Sequence, residues 1–315
     1  MGLTIEELRE RQSWPLQQKI DHSLYTIENF IAGVGGMAYV AFSGGKDSTV
    51  LLDLVRVVDK SIPAVFCNTG NEWPDIVKFV RDLQSNPEYN IVELHPKKTC
   101  KEYWSQFGFP LISKDTAHKL YYIKRKPDGA VARHAFADDS YFSVPKKWRF
   151  LANEDFWCSA NCCEALKHNP SEIYERRSKR RPITGIMASE SQSRTMSYIK
   201  KGGCNVFGER AQSTPLAIWT EDDIWSYIKS RDLKIADIYS KGVDRTGCVG
   251  CGFGCQFPDN TRFDILYKLY PRYYQMIMDY ENHGVKFRDA LRKILDKCGK
   301  SLPDEPPTGT LFAGE

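Results

Sequence analysis

No run of this sequence approaches the ~18 to 20 consecutive apolar residues of a membrane-spanning helix, so no membrane span is expected. Its opening stretch, MGLTIEELRERQSWPLQQKI, mixes acids with bases and holds no apolar core of a secretory leader. No segment recurs at a fixed period, which removes solenoids and propellers from consideration. The net charge is only +4, too small to mark a nucleic-acid binder, so any basic footprint has to be local. Together these absences lead to the expectation of a cytoplasmic protein with no membrane partner.

What is present can fill a core. The chain has 315 residues, of which 42% are hydrophobic, 12% aromatic and 27% charged, ordinary proportions for a globular protein. Its length exceeds the usual single domain, although α/β folds run to about 250 residues as one unit. One main domain with appended segments is therefore expected. Ten cysteines would suit a disulfide framework in a short secreted chain, but in a long chain without a leader they suit metal binding or catalysis better. They gather as Cys158, Cys162 and Cys163 and as Cys248, Cys251 and Cys255, while Cys67, Cys100, Cys204 and Cys298 stand alone.

Residues 4–32 read as helical, with Thr4 as N-cap and Glu7 completing a capping box. Met37–Phe42 reads as a strand that ends in Ser-Gly-Gly, after which Val50, Leu51, Leu54, Val55 and Val58 recur at helical spacing. The pattern repeats as a strand at 62–67, a helix over 74–84 and a strand at 90–94, and this alternation implies a parallel sheet. Residues 100–157 suggest loops and short helices around the Pro-Asp-Gly turn at 127–129. Strands are expected at 182–187 and 214–219, then a helix capped by Thr220 with an acidic first turn. Residues 262–298 read as helical, and a Pro-rich tail from Leu302 is expected to lie over the surface or be disordered. The expected division is 1–34 helical, 35–257 the main domain, 258–301 helical and 302–315 tail.

The segment Ser43-Gly44-Gly45-Lys46-Asp47-Ser48 carries the chemistry. A Gly-Gly pair after a strand and before a helix lets backbone amides approach phosphate oxygens, and the helix N-terminus adds positive potential. Lys46 can bridge phosphate oxygens, and Ser43 and Ser48 supply hydroxyls. The spacing is neither the Walker A loop nor the dinucleotide fingerprint. The plainer alternative is a glycine-rich turn capped by Asp47.

Placed after a first strand, this segment resembles the PP-loop family of ATP pyrophosphatases. The resemblance implies an α/β, doubly wound parallel sheet of about five strands, adenine nucleotide alpha hydrolase-like, with helical additions at both ends. It further implies adenine bound at the carboxyl ends of the strands and cleavage between the α- and β-phosphates. Asn68-Thr69-Gly70-Asn71-Glu72-Trp73-Pro74-Asp75 resembles a segment of the phosphoadenosine phosphosulfate (PAPS) reductase branch, with Asn68 in place of the usual Asp. Residues 184–194 and 215–225 are similar to later signatures of that branch. The resemblance assigns Thr69, Gly70, Gly185 and Glu190 to the nucleotide, beside the loop itself, and gives Arg194 to phosphate or substrate, a surface ion pair being the alternative.

Four thiols from Cys162-Cys163 and Cys248-Val249-Gly250-Cys251 suit zinc or an iron–sulfur cluster equally on ligand chemistry. The order is similar to the cluster pattern of adenylylsulfate (APS) reductases, which implies a [4Fe–4S] cluster. Cys158 and Cys255 are spare ligands, and Cys67, Cys100 and Cys204 read as buried thiols.

Two reactions follow from the resemblance. In one, ATP is split to AMP and pyrophosphate to activate a substrate for sulfur transfer, as in tRNA thiolation or DNA phosphorothioation. Lys46 and the loop amides then hold pyrophosphate, Mg²⁺ offsets charge and Asp47 helps place the metal or the loop. That reading implies a tRNA or DNA acceptor and a sulfur-donor protein such as a cysteine desulfurase. In the other, the chain reduces APS or PAPS to sulfite, which needs a reactive thiol near the C-terminus. The E-C-G-x-H pattern of those enzymes is absent, and Cys298-Gly299 reads rather as a helix end. The reductases also carry a degenerate loop, whereas this loop is intact, so ATP is preferred. A nucleotide-binding subunit without turnover is the third class. Local basic footprints are Arg176-Arg177-Ser178-Lys179-Arg180-Arg181 and the tyrosine-interleaved 119–133, read either as single-strand binding surfaces or as a solvated face and a loop.

Overall fold

The computed structural model describes residues 3–137 and 143–304. They gather into two compact units that interleave along the chain. The first takes the described residues up to Asn68, then Trp73–His95 and Pro170–Lys241; the second takes Thr69–Glu72, the described part of Pro96–Asn169 and Gly242 onward.

The first unit is built on a sheet of β1 (Ala38–Phe42), β2 (Ala64–Cys67), β3 (Ile91–Leu94), β4 (Arg181–Thr184), β5 (Asn205–Val206) and β6 (Gln212–Ser213). The strand order is β3-β2-β1-β4-β6-β5. Every pairing is parallel except β5 with β6. The register sets Val40 beside Ala64 and Ala41 beside Thr184. The chain thus winds outward from β1 through β2 to β3 and then returns to the other side of β1. That reversal is the switch point at which open α/β sheets bind ligands, beyond the strands' carboxyl ends.

Helix α1 (Ile5–Gln12) carries the expected Thr4–Glu7 capping box. A single helix over 4–32 does not form: Ser13, Trp14 and Pro15 interrupt it and α2 (Leu16–Gly33) follows. Proline offers no N–H and sits naturally just ahead of a new helix, which accounts for the break. Ile27 and Phe30 of α2 are fully buried, while Lys19, also buried, pairs with Asp223 at 2.6 Å. Helix α3 (Lys46–Val58) buries Val50, Leu51, Leu54 and Val55, as its spacing predicts, and α4 (Pro74–Gln84) buries Ile76, Phe79 and Val80. Helices α5 (Gln192–Lys201) and α6 (Glu221–Ser230) complete the part that bears on the site, and α6 has the expected Thr220 cap.

The apolar run 214–219 is not a strand. Thr214 gives its N–H to Cys204, while Ala217 and Trp219 bond back to Thr214 and Leu216 as turns. Strand pairing there is confined to Gln212–Ser213, and the run reads like a strand because Leu216, Ile218 and Trp219 are fully buried.

The second unit surrounds an aromatic core in which the Trp104 and Phe109 rings lie 4.8 and 5.1 Å from that of Phe287. Short helices dominate the described residues of 100–157, as expected, with the longest of them at Lys114–Arg125. The stretch 262–298 is not one helical run. Three helices, Arg262–Leu269, Pro271–Met278 and Phe287–Asp296, are separated by Pro271 and by an antiparallel turn pairing Glu281–Asn282 with Val285–Lys286. Asn282 is fully buried, and its amide donates to the Trp104 and Ser105 carbonyls at 2.9 Å, which fixes that turn. Gly299, at φ 65°, closes the last helix, with Lys300 N–H bonded to the Leu295 carbonyl. Leu302 is buried and Asp304 accepts from Tyr274 at 2.8 Å, so these residues pack instead of lying loose. The remainder of the expected tail, 305–315, lies outside the described residues. No helix among the described residues is long and apolar enough to cross a membrane.

Candidate functional site

The glycine loop leaves the carboxyl end of β1 and enters α3, whose N-cap is Gly45 with no side-chain cap. The first-turn amides of such a helix have no partner supplied by the cap, which is how a helix N-terminus offers itself to an anion. Gly44 has φ 73°, and a Cβ there would stand 2.8 Å from Val80 Cγ2 and 2.9 Å from Ile76 Cγ2. Glycine is thus required twice, by conformation and by space. Gly185, just past β4, abuts the loop, since a Cβ on it would lie 3.2 Å from the Asp47 carbonyl.

The serines brace the loop. Ser48 Oγ accepts from Ser43 N–H at 3.2 Å, lies 3.0 Å from Ser43 Oγ and donates to the Gly45 carbonyl at 2.9 Å. Thr49 Oγ1 reaches the same carbonyl at 3.0 Å. Lys46 is buried, its Nζ 3.4 Å from both Asp47 Oδ1 and Glu221 Oε1. The rings of Trp225 and Tyr239 each lie 5.9 Å from Nζ. Burial alone would lower the lysine's pKa, but Asp47, Glu221 and Tyr239 outweigh it and the net shift is upward, so Lys46 is cationic at neutral pH. Its backbone N–H is donated to the Tyr239 hydroxyl at 2.7 Å. A phosphate oxygen taking that amide has to displace the tyrosine.

Burial raises the pKa of Asp47, with Lys46 opposing and Glu190 and Glu221 reinforcing. Its buried Oδ1 faces the Lys46 ammonium. Glu190 is bound by Arg194 in an ion pair one helical turn apart. Ser43 to Ser48, Gly185, Glu190 and Arg194 therefore come together in the first unit. Thr69 and Gly70 lie in the second unit.

In the second unit Cys162, Cys163, Cys248 and Cys251 line one cavity of about 20 Å³, with Lys167 and Asn71 in its wall. Cys162 and Cys163 stand at the start of a helix that runs into the π-helical turn Glu164–His168. Such turns recur at functional sites. A hydrogen bond from Cys162 holds the Cys163 thiol down to about 6, with Lys114, Lys167 and His168 adding to the effect. Lys167 is hydrogen-bonded to Cys248; burial opposes its charge, but Cys248, Glu72 and Cys163 outweigh it and raise its pKa. Burial pushes Cys251 up to about 11, and Cys158 and Cys255 up to about 12. Those last two thiols are not among the residues lining the cavity. Among the described residues, no three His, Cys, Asp or Glu side chains are arranged as ligands of a single metal ion. Cys100 and Cys204 are buried as expected, whereas Cys67 is only half-buried.

The basic footprints are partly spent internally. Lys119 pairs with Asp115 at 2.7 Å, Lys124 donates to the Phe156 carbonyl at 2.8 Å, and Arg125 to the Tyr121 hydroxyl at 2.8 Å. Residues 119–125 are helical, not loop. Arg180 donates to the Ala38 carbonyl at 2.8 Å, while Arg176, Arg177 and Lys179 are exposed. Glu221, Trp225 and Asn71 lie inside the motif segments without standing out there, and nothing in the sequence singles out Tyr239.

A mostly parallel α/β sheet with a phosphate-type loop at its switch point defines an adenine-nucleotide fold of the PP-loop class. The profile of the phosphoadenosine phosphosulfate reductase domain matches residues 37–252, and the chain belongs to that family. An uncharacterized protein of Methanocaldococcus jannaschii is 26% identical over 76% of this chain and 46% of its own length. A second M. jannaschii relative is matched over 38% of its length, so the chain spans less than half of these two. The adenosine 5'-phosphosulfate reductase of Geobacillus kaustophilus is 22% identical over 81% of this chain and 90% of its own. A solved phosphoadenylyl-sulfate reductase from Candida auris, in a phosphate complex, superimposes with a TM-score of 0.42 and 12% identity, covering 79% of this chain and 97% of that one.

Proposed function

We propose that the chain is an enzyme that binds ATP at the Ser43–Ser48 loop and splits it to AMP and pyrophosphate, activating an acceptor for sulfur transfer. The observation that carries this reading is the intact Gly-Gly-Lys loop at an uncapped helix N-terminus, with a buried cationic Lys46 beside it. A donor set of this size suits the β- and γ-phosphates, which APS and PAPS lack. An acceptor oxygen attacks the α-phosphorus to form an adenylated acceptor, and pyrophosphate leaves with the bonding electron pair toward Lys46 and the loop amides; the donor's sulfur nucleophile then displaces AMP, which leaves with the acceptor's oxygen. Gly185 and Gly44 allow the backbone to come close, and Arg194 stands ready to exchange Glu190 for a phosphate.

Mg²⁺ suits the Asp47 carboxylate beside Lys46, because that ion is held by one or two carboxylates together with substrate phosphates. Asp47 would hold it, and the ion would offset charge on the phosphates. In the second unit, four soft thiols line one cavity, a donor set that suits a [4Fe–4S] cluster. Cys162, Cys163, Cys248 and Cys251 would hold it, and Cys162 and Cys163 would give up their shared hydrogen bond. When bound, such a cluster supplies one-electron or electrostatic chemistry; Lys167 contributes the compensating positive charge. A nucleic-acid acceptor and a sulfur-donor protein belong to this reading, with Arg176, Arg177 and Lys179 as exposed cations available to phosphates.

Reduction of APS or PAPS is the second reading, favoured by the Geobacillus relative's name and its near-complete coverage. Supplying ATP, APS and PAPS in turn with a thiol reductant separates the two. Pyrophosphate from ATP supports activation, whereas sulfite from APS or PAPS supports reduction.

A further inference from the structure

Thr69 and Gly70 are assigned to the nucleotide by resemblance, yet Asn71, the next residue, lines the cysteine cavity. Asn71 is 4% exposed and spends all its polar groups. Its carbonyl accepts the N–H of Val249 at 2.7 Å, and its Oδ1 accepts the N–H of Gly250 at 3.0 Å. Val249 and Gly250 are the two residues between Cys248 and Cys251, so one side chain and its own carbonyl take both amides of the turn. The turn is closed on itself by Cys251 N–H on the Cys248 carbonyl at 3.2 Å. The Asn71 amide nitrogen Nδ2 donates to Cys100 Sγ at 3.4 Å, bringing in a thiol from a third segment.

Asn71 is itself held. Its N–H lies 3.2 Å from both Thr69 Oγ1 and Glu72 Oε2, and Glu72 accepts from Thr69 Oγ1 at 2.7 Å. The preceding Gly70 carbonyl accepts from Tyr273 at 3.0 Å. Opposite it, Gly250 has no spare room: a Cβ would meet Ile277 at 3.0 Å and Asn71 Oδ1 and Trp104 at 3.1 Å. Buried amides need partners, and in a thiolate site the free amides of a Cys-x-x-Cys turn bond to sulfur and tune it. Here they are withheld from sulfur.

We propose that Asn71 is the positioning residue of the Cys248–Cys251 turn, fixing the spacing of those two thiols and keeping the turn's amides off them, and that the Thr69–Glu72 segment serves the cysteine site. Only the iron measurement below rests on the cluster reading.

The test uses the full chain, purified anaerobically, with iron measured first and each thiol's alkylation rate then followed by mass. In Asn71→Ala, Cys248 and Cys251 are expected to react roughly tenfold faster through local opening, while Cys204 in the other unit is unchanged. Asn71→Asp keeps an acceptor for Gly250 N–H and loses the donor to Cys100. It is expected to restore the wild-type rate at Cys248 and Cys251 and alter Cys100 alone. Unchanged Cys248 and Cys251 rates in Asn71→Ala overturn the proposal, as does failure of the Asp variant to restore them. If Cys204 also accelerates, Asn71→Ala has unfolded and Gly250→Ala replaces it: faster Cys248 and Cys251 with steady Cys204 sustains the clasp, and unchanged rates overturn it. Where iron is present, Asn71→Ala should lose it to a chelator faster and show a raised reduction potential. Wild-type protein without iron sinks the cluster assignment and leaves the alkylation comparison standing.

Discussion

The glycine loop and the cysteine site solve the same problem, holding reactive groups in a fixed array, by opposite means. The loop is local: its consecutive residues brace one another through Ser43, Ser48 and the Gly45 carbonyl, while distant residues press on it at Gly44, Lys46 and Asp47. The cysteine site is assembled: its thiols come from two separated pairs, its cation from a π-turn and its clasp from Asn71. A local array fails when one of its own residues changes. An assembled one should also fail through residues that carry no chemistry.

The largest effect expected from breaking the first array is Lys46→Ala, which should cost about 100-fold or more in pyrophosphate release while leaving the circular dichroism spectrum unchanged. Retained release would remove the loop's cation from the chemistry. On the other side, Cys163→Ser and Cys248→Ser should each abolish the brown colour and the iron of anaerobically purified protein. Stoichiometric zinc in their place would replace the cluster with a single-ion site.

Gly44→Ala tests the loop's geometry without touching a polar group. The positive φ and the 2.8 and 2.9 Å approaches to Val80 and Ile76 should lower stability by about 1–3 kcal/mol, read from denaturant midpoints. A neutral result would mean that the loop relaxes freely. Tyr239→Phe removes the hydroxyl that occupies the Lys46 amide, so nucleotide binding should tighten severalfold by calorimetry. Weaker binding would make Tyr239 a ligand contact and not a competitor.

The smallest effect concerns pH. Burial raises the Asp47 pKa above 3.8, so the folded chain holds that proton more tightly than the unfolded chain. Its contribution to stability is present below pH 3.8 and is lost as pH rises through the raised value. Asp47→Asn removes that loss, and its stability relative to wild type should improve across this window in thermal scans. A stability of Asp47→Asn that falls relative to wild type as pH rises contradicts the assignment.

Legibility follows the same division. The β1–loop–α3 unit could be read because apolar run, glycine pair and helical spacing are contiguous, and the strands at 64–67 and 91–94 likewise. The cysteine pairs could be found by type and spacing. The roles of Tyr239 and Asn71 could not, since each acts through hydrogen bonds to a part of the chain distant in sequence and neither residue type announces them. Residues 214–219 misled because full burial makes a turn as apolar as a strand. The run 262–298 misled because its breaks depend on Pro271 and on a buried Asn282, not on a change of periodicity.

A loop that serves ATP has one direct consequence. Anaerobic wild-type protein should release pyrophosphate and AMP from ATP with Mg²⁺, and the Lys46→Ala variant should not; sulfite from APS or PAPS with no pyrophosphate from ATP would contradict it.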